Sequence, residues 1–491
     1  MELLSPAGNV DKLRYCYTYG ADAAYIGLKN FSLRVKADNF YEDEYKKVAE
    51  LKRQFPGRRL HCALNISFHN SEIDRLISDI PYFKQYPIDA FIVQDLGIVP
   101  ILQKHFPNAE LHLSTQASCM NREAVKMYRS LGFSRVVMGR EASLEEVAEI
   151  KNAVPDMEIE CFVHGAMCIA YAGRCLMSAY LNGRSAQEGF CSHTCRWEYE
   201  ALIDRKEVPG SVWNGSPYSK EARALAQSGA LALKETTRPD EYFPVYEGDN
   251  FTALLSSKDL CMIDHLADLK KAGVDSLKIE GRMKSIYYVA LITRAYRKAL
   301  DALENKISEE DARPFVDELY KVSHRPYGTG FYYNKAEADI TVSGASESPW
   351  ELAGELICSL SEAEADDVFA KARELQAKRE AEYNAMVPAA QKAFDERVRN
   401  QKDRYLPPLD RREGWHLYRM NPLNMINEES ELEAVTPDTV SIAMNAENTC
   451  FANPVTGETY RWVCNGHPCV LYSKLSLPDG TLVRVKSTQN R

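Results

Sequence analysis

The sequence has no surplus of positive charge: 60 Lys and Arg face 70 Asp and Glu, for a formal net charge of −10. A globally basic nucleic-acid coat is therefore excluded. A local basic patch is not, because binding depends on where charge sits. Long apolar runs are also missing. Nothing approaches the roughly 18 consecutive apolar residues of a membrane-spanning helix, so no membrane contact is expected. The opening residues, MELLSPAGNVDKL, lack the basic, apolar and small-residue segments of a secretory leader. That predicts a cytoplasmic protein. Gly (25) and Pro (22) are scattered, and 45% of residues are hydrophobic, which excludes collagen-like and disordered chains. Neither a G-x-S-x-G element nor an HExxH helix is present.

What is there begins with size. At 491 residues the chain can bury a substantial core and divide into two to four domains. Its 13 cysteines are odd in number, which in a reducing compartment argues against a disulfide framework. Isolated ones, such as Cys16 and Cys62, read as small buried hydrophobes. A tight cluster reads as metal.

The first 165 residues repeat one unit, a short apolar run followed by an amphipathic stretch. The strand-like runs are 2–4, 23–27, 61–66, 90–94, 110–114, 135–139 and 158–163. Helix-like stretches include 42–54, 121–131 and 143–153, the last opening with Ser143 and Glu146 in capping-box spacing. Such alternation predicts βαβ units and a parallel sheet. An eighth strand is expected at 276–280, between helices over 260–272 and 286–303. The fold class expected is thus α/β, a (β/α)8 TIM-like barrel over 1–335, interrupted after strand seven by a cysteine-rich insertion at 164–250. An open doubly wound sheet is the alternative. In a barrel, chemistry sits where strands end. Those ends bring Arg140, Arg282, carboxylates and amides to one rim.

After residue 335 the character changes. The region 336–491 reads as a small C-terminal β-barrel, starting with GELICSL and carrying a helical hairpin at 361–405 that Pro388 divides. RREGWHLYR interleaves Arg411, Arg412, Trp415, His416, Tyr418 and Arg419, and Arg461-Trp462 adds to it. Charge mixed with aromatics suits an unpaired RNA base, but it suits an ordinary sheet rim equally well.

The insertion carries Cys168, Cys175, Cys191 and Cys195, in the spacing C-x6-C-x15-C-x3-C. Four thiolates this close can enclose one inorganic centre. Zinc sites favour close C-x2-C pairs, and a cube-shaped iron–sulfur cluster tolerates wider spacing, so both remain open. Cys261 could replace a ligand. Cys464, His467 and Cys469 form either a small metal site or, more simply, a turn between strands.

The segment FVHGAMCIAYAGRCLMSAYLNGRS with CSHTCRWEY resembles the collagenase-like peptidase family of unassigned mechanism, and within it the tRNA hydroxylation branch. ELLSPAGN, YGADAAYIG, SLRVKADNF, TRPDEYF, SSKDL, SLKIEGRMKS and HRPYGTGF carry the resemblance over most of residues 1–335. The stretch 361–405 departs from the shorter members of that branch. The resemblance implies oxygen-independent hydroxylation of the wobble uridine of tRNA to 5-hydroxyuridine, with prephenate as a required metabolite. Relatives act on a ribosomal RNA cytidine or on ubiquinone precursors. It further implies a 4Fe-4S cluster on Cys168, Cys175, Cys191 and Cys195. Prephenate, a small dicarboxylate metabolite, calls for guanidinium clamps, for which Arg34, Arg140, Arg174 and Arg282 are the candidates. His164 and Glu280 are candidate catalytic proton-transfer groups. Two other readings stand beside this one: a peptidase, for which His164 could serve as base, and a zinc-stabilised RNA- or protein-binding module.

Overall fold

The computed structural model describes residues 1–28, 31–32, 39–168, 175, 257–333, 348–398 and 407–487, and the backbone alone of 232–234, 242–244, 246–247, 252–253 and 399–400. Two compact units emerge, Met1–Glu347 and Ser348–Arg491.

The first unit is a barrel. Its strands are β1 (Glu2–Pro6), β2 (Ala23–Ile26), β3 (Arg59–Leu64), β4 (Ala90–Val93), β5 (Glu110–Leu113), β6 (Arg135–Val137), β7 (Glu158–Ala166) and β8 (Ser276–Ile279). Each pairs in parallel with the next, and β8 pairs with both β7 and β1. That closure rules out the open doubly wound sheet. Helices follow the strands where the amphipathic pattern placed them. Ser143 and Glu146 form the expected capping box ahead of Leu144–Ala153. Asn121 caps Arg122–Ser130. The helices Val10–Thr18 and Ile286–Leu303 are capped by Asn9 and Ser285 in the same way.

One expectation fails locally. The stretch 260–272 is not a single helix. Asp259–Cys261 is a short strand, followed by a 3-10 turn at Ile263–His265 and a brief helix at Leu266–Lys271. The cause is β7, which runs nine residues and projects past its neighbours. Its free edge captures the returning chain in antiparallel register, with Asp259 opposite Ala166 and Cys261 opposite His164.

The lower half of the barrel interior is polar. Arg135, 2% exposed, donates to Glu158 at 2.7 Å and Glu160 at 3.0 Å, and also to Glu2. Lys278 donates to the other oxygen of Glu160 at 2.6 Å, and Ser276 to Glu2 at 2.9 Å. These groups start β1, β6, β7 and β8, so one charge network spans the place where the barrel closes. Breaking one partner of such a buried network costs about 3–5 kcal/mol, because a charge is left uncompensated.

The second unit is an antiparallel half-barrel. Its eight strands run in the order Ile442–Met444, Leu432–Val435, Leu482–Lys486, Trp350–Ser359, His416–Pro422, Cys469–Ser473, Thr449–Ala452 and Thr459–Tyr460. The expected small C-terminal β-barrel takes the form of this half-barrel, in which, among the described residues, no pairing joins the two end strands. The expected hairpin consists of Glu362–Asn384 and Pro388–Asn400, with Pro388 opening the second helix. It is inserted between Trp350–Ser359 and His416–Pro422, which pair directly with each other. Its root packs Val368, Phe369 and Ala372 against Leu417, Val470 and Tyr472 of the sheet.

Gly457, at φ +72°, lies under that root. A Cβ there would stand 2.4 Å from Ala372 N and 2.5 Å from its Cα. Gly457→Ala is therefore expected to destabilise hairpin docking by about 1–3 kcal/mol, the overpacking range. Gly414, at φ +73° with nothing nearby, serves as control and carries only the backbone penalty of about 1–2 kcal/mol. Limited trypsin digestion, with cleavage sites at Lys378, Arg379 and Lys392, reports the difference: faster hairpin cleavage in Gly457→Ala than in Gly414→Ala.

Candidate active site at the barrel mouth

The C-terminal ends of the strands gather the side chains expected there. Arg140 follows β6 and is 9% exposed. Its Nη2 donates to Glu280 at 3.1 Å, and its guanidinium carbon lies 3.8 Å from the centre of the Phe162 ring. A planar cation held between a carboxylate and an aromatic face is fixed in orientation. Glu280 follows β8, and two residues on is Arg282, also buried. The Arg282 guanidinium lies 5.9 Å from the Tyr25 ring. Deeper along β8, Lys278 Nζ stands 4.5 Å from the Tyr25 ring centre and 5.6 Å from that of Phe162. Burial pushes its pKa down, and Glu160 opposes that shift. Tyr25 and Phe162 thus form an aromatic layer with a lysine on the deep side and arginines toward the mouth.

His164 and Glu280 are joined through the backbone, Glu280 N donating to His164 O at 2.9 Å. Their side chains have different surroundings. His164 is buried, with Nδ1 3.4 Å from the Tyr296 hydroxyl and Nε2 3.4 Å from that of Tyr327. The Tyr288 ring is 6.0 Å away. Burial pushes the His164 pKa down to about 3, against the pull of Asp259. The imidazole is therefore neutral near pH 7 and enclosed by tyrosines, while Glu280 faces Arg140.

Glu141 was passed over by the sequence reasoning. Burial raises its carboxyl pKa against the pull of Arg140, and its Oε2 is buried with no hydrogen-bond partner among the described residues. It holds a proton more readily than an ordinary carboxylate. Its position directly after the arginine at the end of β6 was the available signal.

Arg34, Arg174, Cys191 and Cys195 lie outside the described residues. Cys168 is exposed, Cys175 partly so, and both are free thiols. Their accessibility leaves both sulfurs open to an external ligand. The neighbouring Cys161 and Cys261 are buried, and burial pushes their thiols up to about 12 and about 11. Cys261 stands opposite His164 in the short strand pairing. Cys464 Sγ lies 3.6 Å from His467 Nδ1, whereas Cys469 belongs to the half-barrel core with its thiol pushed up to about 12. The turn reading of CNGHPC therefore holds.

Among the described residues, three-donor clusters occur only inside the barrel, as His61, His112 and Glu160 and as Glu110, His112 and Glu158. Their carboxylates already serve Arg135, Lys278 and Arg59. In RREGWHLYR, Arg411 pairs with Asp366 and Arg419 with Glu364, so the root of the hairpin neutralises two of its cations.

A closed parallel barrel with buried arginines at its mouth and a cysteine segment leaving β7 defines a barrel-enzyme architecture. The chain belongs to Peptidase family U32, whose profile matches residues 8–341. It is 37% identical over 372 residues to tRNA hydroxylation protein P of Escherichia coli, covering 72% of this chain and 81% of the relative. The protein of that name from Haemophilus influenzae is 39% identical over 67% of this chain and 73% of its own length. The tRNA hydroxylation protein P1 of Bacillus subtilis is 36% identical over 67% and 70% respectively.

A pH dependence follows from His164. An unfolded histidine ionises near 6.5, whereas this one stays neutral to about 3 when folded. Between those values the unfolded chain binds more protons, so stability falls as pH drops through that window and is fully present above it. His61 and His112, also lowered by burial, act in the same direction. Denaturant midpoints at pH 7 and pH 5 should show this loss. His164→Gln should flatten the slope between them without abolishing it.

Proposed function

We propose that this chain hydroxylates the wobble uridine of tRNA to 5-hydroxyuridine without molecular oxygen, using prephenate and a 4Fe-4S cluster. The observation that carries the reading is its 36–39% identity, over two thirds or more of the chain, to relatives named for tRNA hydroxylation. Cys168, Cys175, Cys191 and Cys195 would hold the cluster. Two accessible, unpaired thiols, Cys168 and Cys175, fit that role. The cluster supplies electron transfer when bound.

The barrel residues supply the rest. Arg140 and Arg282 present buried guanidiniums to the carboxylates of a small organic acid. Glu280 and the Phe162 ring keep Arg140 in one orientation. Glu141, whose carboxyl burial shifts upward, stands beside Arg140 at the mouth as a candidate proton-exchange group. A peptidase reading gains no support from His164, whose two ring nitrogens face tyrosine hydroxyls rather than a serine or cysteine nucleophile.

Nucleoside analysis of tRNA from a strain lacking this gene tests the reaction. 5-Hydroxyuridine-derived nucleosides should disappear and return with the wild-type gene; unchanged levels would remove the proposal. Protein purified without oxygen should be brown, absorbing broadly near ~400 nm as thiolate–iron charge transfer does. Cys168→Ala should bleach it, whereas colourless protein with stoichiometric zinc would point to the binding-module reading. Arg140→Met should lower kcat/KM for prephenate by roughly 10–100-fold, the worth of a charge-assisted hydrogen bond.

A further inference from the structure

Gly27 follows β2 at the barrel mouth, and three polar groups crowd the place where its side chain would begin. A Cβ there would stand 2.3 Å from Arg282 Nη1, 2.7 Å from Ser32 Oγ and 2.8 Å from Asn39 Oδ1. These atoms come from separate stretches of chain: the exit of β8, residues 31–32, and the return at 39–40. Phe40 N ties that return to Gly27 O at 3.1 Å. Phe31, beside Ser32, is wedged against Phe68 and Phe83 at ring distances of 5.8 and 5.7 Å, which fixes the serine in place.

Ser32 is fully buried, and its hydroxyl has no hydrogen-bond partner among the described residues. A buried hydroxyl left unsatisfied is costly, and each such group in a native fold calls for an explanation. Here it shares the Gly27 corner with the buried Arg282 guanidinium, at the end of the barrel where ligands bind.

We propose that Arg282, Ser32 and Asn39 form a carboxylate subsite at the Gly27 corner, taking one carboxylate of a small organic acid. The guanidinium supplies charge and a planar pair of donors, the Ser32 hydroxyl donates a further hydrogen bond, and the Asn39 carboxamide flanks them. Gly27 is required because any side chain there would displace the guanidinium. Arg140, which already carries Glu280, lies toward β7 and serves a different part of the ligand. The enclosure of Arg282 and Ser32 suits a small acid better than a phosphate on a polynucleotide. The subsite rests on the proposed reaction only for the identity of that acid.

The test uses the full holo-protein with prephenate, malonate and inorganic phosphate as probes, read by thermal shift and equilibrium binding. Wild-type protein should respond to prephenate or malonate and not to phosphate. Ser32→Ala should keep or raise the unliganded Tm, since it deletes an unsatisfied hydroxyl, yet weaken acid binding about tenfold. In turnover it should raise KM for prephenate and leave kcat close to wild type. Gly27→Ala should abolish acid binding. A Ser32→Ala protein with lowered unliganded Tm and unchanged acid affinity would overturn the subsite. So would wild-type protein that ignores both acids, or that takes phosphate equally well. Ser32-dependent binding of an acid in a protein that leaves tRNA unmodified would sink the proposed reaction and keep the subsite. Hydroxylation with an unaltered prephenate KM in Ser32→Ala would do the reverse.

Discussion

The carboxylate of Glu160, shared between Arg135 and Lys278, is the interaction on which the barrel turns. Closing a parallel sheet requires β8 to accept β7 on one side and β1 on the other. Here the seam is marked by buried charges that can be satisfied only if all four strands β1, β6, β7 and β8 stand in one register. Shifting one strand by a single residue would face an apolar side chain inward and strand a charge. The network adds specificity more surely than net stability, since desolvating so many ions offsets much of their attraction. Burial works against the ionised Glu160 carboxyl, but Lys278 and Arg135 overcome it and hold the group down to about 2.

The same network shapes the mouth. Lys278 occupies the layer beneath Tyr25 and Phe162, and those rings support the guanidiniums of Arg282 and Arg140. Positive charge is thereby stacked along the axis and leads toward the open end of the barrel. The field inside such a low-dielectric cleft is set by these nearby groups rather than by the net charge of −10. The rim of the half-barrel shows the opposite case. Its arginines look basic in sequence, but Asp366 and Glu364 from the inserted hairpin meet Arg411 and Arg419.

Much of the fold was legible in the sequence because each βα unit carries local signals. Caps at Asn121 and Ser143, apolar runs and Pro388 all act within a few residues of themselves. The strand at Asp259–Cys261 was not legible, because its partners, the overhanging edge of β7 and Tyr327–Gly328, both lie far away in sequence. The charge network was equally hidden. Glu160 and Lys278 read as ordinary polar residues inside apolar runs until the barrel brings them together. At the site, Arg140, Glu280 and Arg282 were visible as polar residues after strands. Glu141 and Ser32 were not, since what distinguishes them is a buried side-chain oxygen with no hydrogen-bond partner among the described residues, a property that no linear spacing encodes.

The pairing of Ala166 with Asp259 brings the two ends of the 167–258 excursion side by side. It works as a clasp at the neck of a bag. The two ends are thereby held side by side by hydrogen bonds of the barrel's own seventh strand. The contents of the bag can therefore be lengthened, trimmed or exchanged during evolution while the frame beneath keeps its geometry. A scaffold built this way can change what it carries without having to be refolded around it.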